Sequence, residues 1–83
     1  MRITYGAHAM DVMAERGIDR AWIERTVIAP ETIEPDATHP ERVRAYRTVP
    51  ERDGRVLREI YVPTLEGAHI VTAFLDRSRR RPS

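Results

Sequence analysis

The side chains that could move a proton or hold an anion near neutral pH are few in kind here. There are three histidines, His8, His39 and His69, and the 14 basic residues are all arginine, with no lysine and no cysteine. Imidazole is the side chain whose charge ordinarily changes near neutral pH. Guanidinium offers a rigid fork of donors that fits phosphate and carboxylate better than an ammonium does. Cleaving RNA without a metal needs a base near the 2′-hydroxyl, an acid near the leaving 5′-oxygen and cations on the phosphate, which these two groups can supply. Arginine enrichment also follows from GC-rich coding, so composition alone does not choose a function.

Placement says more than number. Arg42, Arg44, Arg47, Arg52, Arg55 and Arg58 crowd one stretch, Arg77, Arg79, Arg80 and Arg81 close the chain, and acids dominate Asp11 to Glu41. The formal net charge of +1 therefore hides a basic face. His8 and Arg16 fall on one helical segment, eight residues and so about 80° apart, able to flank a common edge. Each also has a structural role open to it: His8 as a cap, Arg16 as a cation favoured at a helix C-terminus. Arg44 and Tyr46 share a strand face with Arg42 and Thr48, a surface that could hold a phosphate chain and stack a base, or simply solvate an open sheet. Arg58 and Tyr61 fall on opposite faces of the next strand, so one of them can join that surface. Glu15 and Glu24 read as surface ion pairs. With no thiolate and scattered histidines, neither a metal nor a cofactor is expected.

The elements that must position these groups follow from turn and cap signals. Arg2-Ile3-Thr4 suits a short edge strand or an extended entry. A helix is expected from Gly6 to Arg16, ended by Gly17 as a left-handed cap with Ile18 folding back on Met13, and with Tyr5 stapled to Met10. Asp19 caps a second helix, in which Trp22, Ile23, Thr26 and Val27 form an apolar stripe, and Pro30 stops it. Thr32 to Glu34 reads as a strand. From Arg42 to Val49 apolar residues alternate, although Arg47 breaks the pattern; Asp53-Gly54 turns the chain into a strand from Val56 to Val62. His69 to Leu75, the most apolar strand, is expected at the centre.

At 83 residues there is room for one domain, burying roughly 60–65% of its unfolded surface. The boundaries are 1–76 for the domain and 77–83 for a flexible arginine-rich tail without apolar residues. No apolar run reaches the roughly 20 residues of a membrane span, and Met1 to Tyr5 resembles no targeting peptide, so a cytoplasmic location is expected.

The run His8-Ala9, Met13, Arg16-Gly17-Ile18, then Ile23, Val27, Pro30 and Ile33, with Tyr46 and a closing Ile70-Val71-Thr72-Ala73-Phe74, resembles domain-of-unknown-function family 4258 from about Ile3 to Phe74. The resemblance implies the fold of RelE-type toxins, barnase and colicin ribonuclease domains: α+β, two N-terminal helices in a hairpin packed on a three- to four-stranded antiparallel sheet, RelE/ParE-like. It implies a metal-independent ribonuclease or a descendant of one; taken with the charge clustering, the expectation is a toxin-like ribonuclease with His8, Arg16, Arg47 and Thr72 as the catalytic candidates and Arg44, Tyr46 and Arg58 on the RNA. An antitoxin-like protein would then cover the basic face. The family usually carries an arginine where this chain has Val12. That departure keeps a second reading open, a non-catalytic ParE-like interaction module or inactive relative, and a third, an orphan domain of another role. An exposed sheet edge also suits pairing with a second copy of the chain.

Overall fold

The computed structural model describes residues 1–80. Its elements run β1 (Arg2–Tyr5), α1 (Ala7–Arg16), α2 (Arg20–Ile28), β2 (Thr32–Pro35), β3 (Val43–Val49), a 3₁₀ turn (Pro50–Arg52), β4 (Arg55–Pro63) and β5 (Gly67–Arg80). The sheet has five strands in the order β1-β5-β4-β3-β2. The expectation of three or four antiparallel strands is thus corrected to a mixed sheet: β1 runs parallel to β5, from Arg2 beside Gly67 to Tyr5 beside Ile70. A parallel neighbour cannot be reached by a hairpin, and here the whole chain intervenes. β4, not β5, is the central strand. Residues 77–80, expected as part of a tail, continue β5; 81–83 lie outside the described residues.

The two helices end and begin where their caps dictate. Gly17 adopts φ 64°, ψ 39°, its N–H and that of Ile18 both bond the carbonyl of Met13, and the Asp19 carboxylate accepts from the Ala21 N–H at 2.8 Å. Ile18 is buried with Ile23, and Met13 packs against the same core. The other proposed staple does not form: Met10 is 51% exposed, and the Tyr5 hydroxyl donates to Glu24 at 3.0 Å. Between β3 and β4, Asp53 and Gly54 both take positive φ, a conformation that Asp and Gly tolerate best.

One sheet face carries the core. Ala68, Ile70 and Ala73 of β5, Leu57 of β4 and Val49 of β3 pack with Ala9, Ile18, Ile23 and Val27 from the helical side, and Tyr61 joins them. In that layer the register sets Glu59 between Ala45 and Ala73, and Glu59 is wholly buried. The helices leave the opposite face uncovered along the row Tyr46, Arg58, Phe74 and the row Arg44, Ile60, Thr72. Among the described residues no helix is long and apolar enough to cross a membrane.

Candidate nucleic-acid interface

Past Ile70, β1 no longer pairs with β5, and α1 lies along that stretch of the strand instead. The arrangement brings three of the expected catalytic residues together. His8, exposed near the start of α1, shares a 3.3 Å hydrogen bond between its Nε2 and the Thr72 hydroxyl. Arg16 donates from a guanidinium nitrogen to the carbonyl of Ala73, the next residue, at 2.8 Å. Helical side chains lean toward the N-terminus, which lets a long arginine at the last turn reach back to the neighbour of the residue His8 holds.

Arg47 does not join them. It breaks the apolar alternation of β3 because it points to the helical side, opposite Leu57, and donates to the Ala29 carbonyl at 2.6 Å. Ala29 ends α2, where carbonyls lack intrahelical partners, so this guanidinium caps a helix and is removed from the catalytic set.

Arg44, Tyr46 and Arg58 do share the open face, with Thr72 and Phe74 across the strands. Two of them are committed to neighbours of this chain. Arg44 donates to Asp36 at 2.8 Å and lies 3.8 Å from Glu34. That guanidinium bond first, and then the backbone N–H of His39, hold the Asp36 carboxyl down to about 2. Tyr46 donates its hydroxyl to Glu34 at 2.8 Å, and burial, with Glu34 adding to it, pushes the phenol pKa up. The Arg79 guanidinium covers the Tyr46 ring at 3.9 Å, leaving the residue 3% exposed. Tyr46 therefore offers no free face to a base, which corrects its expected stacking role. Arg58 lies 4.9 Å over the ring of Phe74.

Four arginines converge at the β5 edge. Arg16, Arg52, Arg55 and Arg77 line a cleft of about 420 Å³ with Phe74 and Leu75. Among the described residues none of these four guanidinium groups forms an ion pair, whereas Arg2, Arg25, Arg44 and Arg79 all do. Arg52, Arg55 and Arg77 stand in the two sequence clusters, but only the 3₁₀ turn and the extension of β5 bring those clusters together. His39 and His69 lie apart, bonded to Asp36 through the His39 backbone N–H and to Thr4 through the His69 ring.

The family model described as Domain of unknown function (DUF4258) matches residues 5–75. The chain belongs to this family. Searches of curated proteins and of solved structures return no significant match. The DUF4258 match spans His8, Arg16, Arg52, Arg55, Thr72 and Phe74, while Arg77 lies just beyond it. Val12, where the family usually carries an arginine, is 3% exposed and so packs within the fold.

Proposed function

We propose that this DUF4258 protein is a toxin-like, metal-independent ribonuclease with a RelE/ParE-like fold, acting in the cytoplasm on single-stranded RNA. The carrying observation is the exposed His8 imidazole, fixed by Thr72, with Arg16 bonded to the next residue at the rim of an arginine-lined edge. In the reaction the 2′-oxygen bonds to phosphorus and the P–O5′ bond breaks. The imidazole takes the 2′-hydroxyl proton and returns a proton to the departing 5′-oxygen, leaving a 2′,3′-cyclic phosphate and a 5′-hydroxyl. Thr72 orients the ring, Arg16 offsets charge growing on the phosphoryl oxygens, and Arg58 on the adjoining row attracts the chain.

The test is cleavage of single-stranded RNA by the purified chain in chelator. His8→Ala is expected to slow cleavage by about 100-fold or more, and Thr72→Val to a smaller degree, both with unchanged circular dichroism. No cleavage by the native chain, or equal cleavage by His8→Ala, overturns the assignment.

One observation favours a second reading, a non-catalytic ParE-like module. Among the described residues the only hydrogen bond to the His8 ring comes from a threonine, so no second proton-transfer group stands beside it. An antitoxin-like protein, or a second copy of the chain at β2 or the outer part of β5, is the partner that fits such a module. Growth arrest on expression without loss of RNA would select this reading.

A further inference from the structure

We infer that the cleft formed by Arg16, Arg52, Arg55 and Arg77 binds a terminal phosphate monoester, so that the preferred RNA is one carrying a phosphate at its end. The inference deepens the ribonuclease reading by naming a feature of its substrate, and it rests on that reading for the RNA alone.

Charge is the first argument. Four guanidinium groups line one cleft, and no carboxylate is among its lining residues; Asp76, which follows Leu75 in the chain, does not line it. Gathering like charges without counter-charges opposes folding through self-repulsion, and a bound anion relieves it. An internal phosphodiester brings one negative charge, whereas a phosphate monoester brings about −1.5 to −2 near pH 7 and three acceptor oxygens. Guanidinium forks meet such a group through paired N–H bonds.

Preorganisation is the second. Arg16 is anchored by the Ala73 carbonyl at 2.8 Å, and Arg52 by the Gly17 carbonyl at 3.3 Å with the Trp22 ring 6.0 Å away. Each bond uses part of a five-donor group and leaves the rest free. Phe74 and Leu75 add apolar lining beside the four arginines. The volume, about 420 Å³, falls within the usual range of small-ligand sites. Thr72 lies two residues from Phe74 on the same strand, roughly 7 Å away. A chain end seated in the cleft therefore leads its nearest diester toward His8.

The experiment measures binding of 2′-O-methyl RNA hexamers, which cannot be cleaved by attack of the 2′-oxygen, to the full chain by fluorescence anisotropy. Three versions of one sequence are compared: 5′-phosphate, 3′-phosphate, and hydroxyl at both ends. One monoester is expected to bind at least tenfold tighter than the hydroxyl form, and the arm that does so identifies which end is held. Arg55→Gln with Arg77→Gln is expected to abolish the preference while circular dichroism stays native. Should the pair fail to fold, the exposed Arg77→Gln alone is expected to reduce it severalfold. Equal affinity for all three hexamers, or a preference that survives loss of Arg77, overturns the inference. So does a hexaglutamate peptide competing as well as the monoester RNA, which would assign the cleft to carboxylates of a protein partner. Because these RNAs are inert, binding without preference alongside native cleavage sinks the cleft and spares the ribonuclease, and preference without cleavage does the reverse.

Discussion

Among the described residues, Glu59 is a carboxyl group with nothing to bond. Both oxygens are buried without a hydrogen-bond partner, and its cross-strand neighbours are Ala45 and Ala73. Burial pushes its pKa up to about 9, so the folded protein holds it neutral at pH 7. Unfolded, it ionises near its ordinary value of 4.5. Between those values the folded state binds one more proton than the unfolded state, so stability is fully present below pH 4.5 and is lost as pH rises toward 9, by at most about 1.4 kcal/mol per unit. Urea midpoints taken from pH 5 to pH 9 should fall steadily in the native chain and stay level in Glu59→Gln; a flat native profile would mean that water or a rearrangement solvates the carboxylate. None of this was legible in the sequence, where Glu59 is one charged residue in a strand whose two faces look alike. That His8 and Arg16 share a helix was legible from spacing, and Thr72 was singled out only by family resemblance; that the three meet was not. Arg47 misled because an arginine facing a helix end and one facing a phosphate look the same in one dimension.

At the level of elements, the helical hairpin could be read from Gly17 and Asp19, since caps act within a few residues of themselves. The strand β1 could not be assigned a partner, because four residues carry no signal for a neighbour that lies more than sixty positions away. Its pairing depends on Gly67, where a Cβ would collide with the backbone nitrogen and oxygen of Arg2. Gly67→Ala should cost about 1–3 kcal/mol, in the range of other overpacking substitutions. Amide exchange should quicken first at residues 2–5. Gly6→Ala, whose added carbon would lie 3.4 Å from the nearest atom, a His69 ring nitrogen rather than backbone, is the milder comparison. Unchanged exchange in Gly67→Ala would show that β1 shifts to accommodate the methyl.

Over the whole molecule, the near-neutral total conceals a contrast between arginines matched with acids, such as Arg44 and Arg79 at Asp36 and Glu34, and the four that share the β5-edge cleft with no ion pair among the described residues. The sequence shows the clusters but not the matching, which depends on register and on the turn at Pro50–Arg52. Salt separates the two kinds. For single-stranded RNA each neutralised phosphate adds roughly 0.7 to the slope of log affinity against log salt. Arg55→Gln with Arg77→Gln should lower that slope by about 1.4, while Arg44→Gln, already matched by Asp36, should leave it unchanged in the folded variant. Equal effects of both would place RNA across the open sheet instead.

The parallel pairing of β1 with β5 also sets an order of events during synthesis. His8 and Thr72 are separated by 64 positions and Thr4 and His69 by 65, so β1 and β5 meet only after the whole stretch between them has been made. A nascent chain still missing β5 has the helices and the other four strands, with β1 unpaired, but no hydroxyl for the imidazole and no rim for the arginines. The imidazole and its hydroxyl partner are thus assembled late, only once β5 has emerged and docked beside α1.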